Sequence, residues 1–329
     1  MTTVAVTGAE GFIGSHLVEL LVREGYVVRA LVQYNSLSSW GWLDTLDPEV
    51  LRSGEVVLGD VRDRRSMLEF AQDVDVICHL AALIAIPYSY QAPDSYLATN
   101  AGGTLNVLEA ARAHSTPRLI HTSTSEVYGT AITVPISEAH PLQAQSPYAA
   151  SKIAADKLVE SYHLSFGVPA TTLRPFNTYG PRQSARAVIP AAISQIAAGK
   201  SRIQLGDLSP TRDFNFVGDT AAAFLSLIEA DGEVLGRTFN AGSGREVSVG
   251  DVVRLIGDLM DRDIEVVDDP ARYRPAHSEV QRLVCDSAAL QSVTSWKPEH
   301  TLEEGLRITA DWFCNPTNLA AYKTDRYNV

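Results

Sequence analysis

The sequence predicts an α/β fold, a doubly wound parallel sheet joined to a smaller mixed α/β lobe. Three observations lead there. Short β-branched runs alternate with longer amphipathic stretches from residue 1 to about residue 170, which is the pattern of βαβ units. The first of these runs leads straight into three glycines, Gly8, Gly11 and Gly14, and then into an apolar-periodic segment. After Pro175 the texture changes to denser Pro and Gly with shorter elements, as a second lobe would show.

The elements follow in order. Strands are expected at 4–7, 27–32, 55–59, 76–80, 118–123 and 169–174, each a brief run rich in apolar or β-branched residues that suits a strand buried on both faces. Helices are expected at 13–23, 101–114 and 148–166, where apolar residues recur three and four apart. The segments FNFVGDTAAAFLSLI (214–228) and RTFNAGS (237–243) read as one more helix and strand of the same sheet.

Composition narrows the function. With 329 residues, 45% of them hydrophobic and 20% charged, the chain can bury a large core. A balance of 39 acidic against 27 basic residues gives a net charge of -12, which argues against general affinity for nucleic acid or anionic membrane. Local groups can still hold an anionic ligand. Cys78, Cys285 and Cys314 are scattered without a CxxC pair, so no disulfide framework is expected and a reducing cytoplasm fits. The opening MTTVAVTG has no basic leader before it and no apolar run approaches bilayer length, so the expectation is a cytoplasmic protein that is neither exported nor membrane-spanning. The eight histidines show no HExxH or clustered spacing, and no metal site is expected. His79 and His121 read as packing residues at strand ends. Trp40 and Trp42, flanking Gly41, are read either as core or as a cover for a ligand or a partner chain.

The segment VAVTGAEGFIGSHLVELLV has the form strand, Gly-x-x-Gly-x-x-Gly, helix. Glycine serves where the turn needs unusual dihedrals, where backbone approaches a pyrophosphate and where helix packs on strand, while the helix start offers free N–H groups and a positive dipole end. Gly59-Asp60-Val61 and the HLAA run at 79–82 close later strands, placing a carboxylate and small residues on the same carboxyl edge. The reading is a Rossmann-type dinucleotide-binding domain over 1–175, completed by about 214–243, with 176–213 and 244–329 forming the second lobe. Its cofactor residues are Gly8, Gly11, Phe12, Ile13, Gly14, Asp60, Val61, Leu80, Ala81 and Ala82. The second strand ends ALVQYNS, with Gln33, Asn35 and Ser36 but neither a carboxylate nor an arginine. The choice between NAD and NADP therefore stays open, although Arg62 lies near Asp60 in sequence.

Tyr148 and Lys152, four apart at the start of a helical pattern, project from one face. An ammonium beside a phenol lowers the phenol pKa, which suits it to take a proton from a substrate hydroxyl while hydride leaves for nicotinamide. Both residues also belong with the cofactor set.

With TGAEGFIGSHL, GDVRD, HLAA, NAGGTLNVLEAAR, STSEVYG, SPYAASK, RPFNTYGPRQ, RDFNFVGD and RPAHSEVQRLVCD in place, the chain resembles an extended short-chain dehydrogenase/reductase of the NAD-dependent epimerase/dehydratase family. The match runs over essentially the whole chain. It implies tightly bound NAD or NADP and a nucleotide-diphosphate sugar substrate, with Thr124, Tyr148 and Lys152 as catalytic hydroxyl, tyrosine and lysine. Simple C4 epimerases of the family lack the acid found here at Glu126, whereas 4,6-dehydratases use such a carboxylate on the C5 proton. Ser125 stands where glucose-nucleotide dehydratases carry an aspartate, as in the GDP-mannose 4,6-dehydratase pattern, so Glu126 is expected both to take the C5 proton and to pass it to the departing C6 oxygen. The bland alternative is that Glu126 caps or pairs with a neighbour.

The resemblance is closest to nucleotide-sugar 4,6-dehydratases of legionaminic acid-type pathways, which act on a nucleotide-linked N-acetylglucosamine. YNSLSSWGWLD (34–44), AALIAIPYSY (81–90), NTYGPRQSARAVIP (177–190) and the terminal YKTDRYNV carry that likeness. It implies Asn177 and Arg212 at the diphosphate, Arg186 to Ile189 with Val188 along base and ribose, Arg274 and Glu279 near phosphate and ribose, and Tyr88 and Tyr96 at the sugar. It also implies a homodimer, with helices 101–114 and 148–166 pairing into a four-helix bundle. The nucleotide base and any C5 inversion stay open. A UDP-glucuronate-type decarboxylase, an epimerase and a non-catalytic NAD(P)-binding regulator are the alternatives.

Overall fold

The computed structural model describes residues 1–327. Seven strands form one parallel sheet: β1 (Thr3–Thr7), β2 (Val27–Gln33), β3 (Glu55–Gly59), β4 (Val76–His79), β5 (Arg118–Thr122), β6 (Ala170–Pro175) and β7 (Thr238–Ala241). Their order is β7-β6-β5-β4-β1-β2-β3, so the chain winds outward in both directions from β1. The order reverses between β1 and β4, where Thr7 lies beside His79. A crevice opens at such a switch point, beyond the carboxyl ends of the strands.

The sheet is buried on both faces. On one, Leu17 and Leu21 of the Phe12–Arg23 helix pack with Phe224 and Leu227 of the Val217–Glu229 helix against Val4, Val6 and Ile120. On the other, Met67, Phe70, Leu108 and Val159 cover Ala5, Ile77 and Leu119. The apolar runs of the sequence are continuous rather than alternating for this reason. The late helix and strand read at 214–228 and 237–243 are Val217–Glu229 and β7, and β7 pairs with β6 at the sheet edge.

A further core gathers Ile193 and Ile196 of helix Val188–Ala197, Val252 and Ile256 of helix Val249–Leu259, and Leu306 and Phe313 of helix Leu302–Cys314. Its strands are short. Arg202–Leu205 pairs in parallel with Glu265–Asp268, and Thr211–Asp213 pairs antiparallel with Glu246–Ser248.

Two readings need correction, and for Trp42 the structure decides between the two given. The helix expected at 101–114 is Gly103–His114, but the chain is already helical from Pro93 through a π-helical turn at Leu97–Gly102. That turn directs Asn100 inward, where its amide holds the Leu83 backbone and the Ser151 hydroxyl, and the Gly102-Gly103 pair does not end it. His79 and His121 do more than pack. His79 links the Thr7 and Thr104 hydroxyls, and His121 lies 3.3 Å from Asp156. Trp42 belongs to a packed cluster, stacked on Tyr322 and edge-on to Trp312. Of the YKTDRYNV stretch, Asn328 and Val329 lie outside the described residues. No helix among the described residues is long and apolar enough to cross a membrane.

Candidate active site

The glycine loop follows β1 at the switch point. Gly8 adopts φ +69°, and a Cβ there would lie 2.8 Å from the Ala81 nitrogen. At Gly14 a Cβ would lie 2.1 Å from the Gly8 carbonyl oxygen. Both positions therefore require glycine, one for conformation and approach, the other for close packing of helix on loop. Gly11 caps the helix without a side chain, and its first bond runs from Ser15 N–H to the Gly11 carbonyl. The N–H groups of Phe12, Ile13 and Gly14 are thus left without intrahelical partners, at the positive end of the helix dipole.

Across the crevice, the Thr7 hydroxyl accepts both the Leu80 and Ala81 N–H groups, which fixes the 80–82 backbone against the glycines. Asp60 sits at the end of β3 with its carboxylate bound to the Arg62 guanidinium, whose hydrogen bonds hold it below the usual carboxylate range. Val61 is buried against Gly103. The predicted cofactor residues thus share one edge. A cradle that two Cβ atoms would fill, beside free first-turn N–H groups, fits a dinucleotide pyrophosphate.

The catalytic candidates lie further along the same edge. Thr124 leaves β5 in extended conformation and its hydroxyl accepts the Glu126 N–H at 3.2 Å. This opens a short 3-10 turn, Ser125–Tyr128, in which Ser125 and Glu126 are buried. The Pro147–Phe166 helix starts one residue before the expected position, with Ser146 as its cap and Pro147 in its first turn. It carries Tyr148 and Lys152, both buried. Tyr148 meets Tyr96 edge-on at 6.2 Å, and Tyr88 follows at 6.2 Å from Tyr96, half exposed.

Lys152 is anchored to the end of β5. Lys152 donates to the Thr122 carbonyl at 2.6 Å. Burial holds the Tyr148 phenol well above its ordinary value, opposed by the Thr124 hydroxyl and reinforced by the Glu126 charge. Desolvation is the largest influence on the phenol, and the opposing one comes from Thr124. Burial also pulls the Lys152 ammonium down to about 8, with Asp156 opposing.

Glu126 is 9% exposed. Its Oε1 is 3.9 Å from Arg274 Nη1, and Arg274 is 3.4 Å from Glu279. Glu279 also takes the Arg212 guanidinium at 2.9 Å. Two arginines and a glutamate from the later part of the chain thus gather beside the Glu126 carboxylate. Its 273–279 segment is tied there by Ser278, which donates to the Gln145 carbonyl, and by Gln145, which donates to the His277 carbonyl. Burial lowers the Arg212 pKa, while the charges of Glu126 and Glu279 counter it. Asn177 follows β6, with its side-chain oxygen buried and without a partner. Arg186 is exposed, near enough to Tyr96 for its charge to act there, and Val188 opens the next helix.

The family model for GDP-mannose 4,6 dehydratase matches residues 5–309. The chain belongs to that family. It is an extended short-chain dehydrogenase/reductase, as the resemblance implied. A dTDP-glucose 4,6-dehydratase of Xanthomonas campestris pv. campestris is 33% identical, covering 95% of this chain and 93% of the relative. The solved dTDP-glucose 4,6-dehydratase of Streptomyces venezuelae, with NAD bound, aligns with a TM-score of 0.84 at 27% identity over 95% of this chain and 97% of that one. The UDP-glucuronic acid 4-epimerase of Bacillus cereus, in complex with UDP-glucuronic acid and NAD, aligns with a TM-score of 0.86 at 26% identity over 95% and 99%. Enzymes of this group use NAD.

Sequence reasoning missed the support beneath the lysine. Asp156, one turn after Lys152, receives the Arg174 guanidinium at 2.9 Å and the Ser123 hydroxyl at 2.9 Å, and lies 3.3 Å from His121. The four-residue spacing from Lys152 was the available signal. Glu10, inside the glycine loop, was passed over as well.

Proposed function

We propose that the protein is a nucleotide-sugar 4,6-dehydratase acting on a nucleotide-linked N-acetylglucosamine and forming a 4-keto-6-deoxy sugar. The observation that carries this reading is the position of Glu126: a buried carboxylate two residues after Thr124, close enough to Tyr148 for its charge to act on the phenol. A C4 epimerase leaves the C5 proton in place and needs no base for it, and burial of an unneeded carboxylate is costly.

Bound NAD supplies a hydride acceptor for C4 and a hydride donor for C6. Thr124 orients the C4 hydroxyl, and Tyr148 takes its proton as the ketone forms, a role that requires the Lys152 ammonium to favour the phenolate against burial. The ketone acidifies C5–H, and Glu126 takes that proton. Glu126 then passes it to the C6 oxygen, the C6–O bond breaks and water leaves. One proton enters at C5 and Tyr148 releases one, so the sum is loss of one water. In this reading Arg212 and Arg274, both paired to Glu279, meet the diphosphate. The stretches 34–44, 81–90 and 177–190 favour the N-acetylglucosamine nucleotide.

Mass spectrometry after incubation with UDP-GlcNAc, GDP-GlcNAc, GDP-mannose, dTDP-glucose and UDP-glucuronate tests the reading. Loss of one water from one of the first four, with deuterium from D2O at C5, supports it and identifies the base. Loss of carbon dioxide from the glucuronate, or inversion without mass change, replaces it with decarboxylation or epimerisation. Glu126→Gln should still reduce the cofactor transiently but dehydrate about 10²–10⁴-fold more slowly, the range for a lost general base.

The same reading includes a homodimer. Exposed Leu97 and Leu105 lie on the 97–114 helical run and exposed Leu164 and Phe166 at the end of the Pro147–Phe166 region, apolar positions that the paired helices of a four-helix bundle would cover. Light scattering on the eluting protein decides between one chain and two.

A further inference from the structure

The acidic residue that marks an NAD site normally ends the second strand, where it hydrogen-bonds the adenosine ribose. Here β2 ends at Gln33. A carboxylate is nevertheless present at that point. Glu10, from the middle of the glycine loop, reaches across so that its Oε1 accepts the Gln33 N–H at 2.9 Å.

Its placement is built in. The Glu10 carbonyl accepts the Trp42 N–H at 3.0 Å, and Gly41, at φ +57°, packs so tightly that a Cβ there would lie 2.8 Å from that carbonyl oxygen. The loop carrying Gly41 and Trp42 is itself organised by Asn35, which accepts the Leu37 and Ser39 N–H groups, and by Asp44, which accepts the Trp40 N–H. Trp42 is anchored in turn by its stack on Tyr322. The Glu10 backbone is thereby fixed beside this loop, and its side chain is aimed at the end of β2 by the Gln33 N–H.

The carboxylate is only half satisfied. Oε2 is shielded from solvent and has no hydrogen-bond partner, an arrangement that costs free energy unless a donor completes it. Arg62, the arginine two residues after Asp60, is paired with that carboxylate.

We propose that Glu10 is the residue that selects NAD over NADP, its carboxylate accepting from the adenosine ribose hydroxyls in place of the acid missing from β2. A 2′-phosphate would bring a second negative charge against it and find no free guanidinium there. This rests on the family's use of a nicotinamide dinucleotide and is independent of which sugar reaction follows.

The test is a competition without any sugar nucleotide. The full-length protein is equilibrated with equimolar NAD and NADP and desalted, and the retained dinucleotides are counted by mass spectrometry after denaturation. Wild type should retain NAD over NADP by about tenfold or more, the scale of one charge-assisted hydrogen bond. Glu10→Gln keeps an acceptor for the Gln33 N–H and should bring the ratio to within about threefold of unity by admitting NADP. Glu10→Ala reads the same ratio from a side chain with no polar group, and should also retain less NAD. A wild-type ratio near unity overturns the proposal, and so does a wild-type ratio in either variant. Because no substrate is present, failure here leaves the dehydratase reading untouched.

Discussion

Arg274 Nη1 lies 3.9 Å from Glu126 and 3.4 Å from Glu279, so one guanidinium faces the catalytic carboxylate and the carboxylate that also holds Arg212. A diphosphate arriving at Arg274 competes for the cation that now faces Glu126. Substrate binding and the state of the base are thereby linked through one side chain. Arg274→Ala should raise KM by about tenfold or more, the loss of one charged hydrogen bond, with a smaller change in kcat. Arg274→Lys should recover little, because a point charge cannot serve both carboxylates as a planar fork does. Unchanged KM in the alanine variant would remove Arg274 from the diphosphate site.

The alkaline side of the pH profile should report Lys152. Burial places its pKa at about 8, so the ammonium is present below that pH and lost above it. Activity that needs the ammonium near Tyr148 falls as pH rises through about 8. In Lys152→Arg the charge persists through that window, so the limb should vanish there even though overall turnover drops. A wild-type limb at pH 8 in the arginine variant would assign it to another group.

The glycines separate by what a Cβ would meet. At Gly14 it would lie 2.1 Å from the Gly8 carbonyl oxygen, whereas at Gly11 the same atom would be 3.2 Å away. Gly14→Ala must push backbone apart beneath the pyrophosphate cradle, while Gly11→Ala needs a shift of tenths of an ångström. Gly14→Ala should destabilise by about 3 kcal/mol or more, at the high end for a point mutation, and retain little dinucleotide. Gly11→Ala should keep most of both. Urea unfolding and dinucleotide content after denaturation give the two readouts.

How far this was readable from the chain depends on whether a signal was local. The strand-glycine-helix unit and the Tyr148 to Lys152 spacing are local patterns, and the sheet that β1 to β6 build places them where they were expected. The late helix and β7 were legible from their apolar texture. The meeting of Glu126 with Arg212, Arg274 and Glu279 spans about half the chain and needs the tertiary fold. The environment of the phenol is not local either: spacing shows proximity along a helix, while burial by distant elements sets the largest influence on Tyr148. Glu10 is not legible by sequence position, because an acid at the end of β2 is a local signal and this carboxylate arrives from the preceding loop.

Asp156 offers the last prediction, since it joins stability to catalysis. Burial works to raise its carboxyl, but the His121 contact, the Arg174 charge and the Ser123 hydroxyl outweigh it and hold it at about 2. The unfolded value is about 3.9. The folded state therefore gains stability above the unfolded pKa and loses it as pH falls from about 4 toward about 2. Asp156→Asn leaves Arg174 buried without its anion and should cost about 3–5 kcal/mol at neutral pH, with a flatter acid limb in urea unfolding. A purely structural role would stop there. The Asp156 charge also raises the Lys152 pKa, so the asparagine variant should lose activity at a lower pH than wild type, its alkaline limb displaced below about 8. If the limb stays where it is while stability falls, Asp156 only supports the fold and does not set the charge of the catalytic lysine.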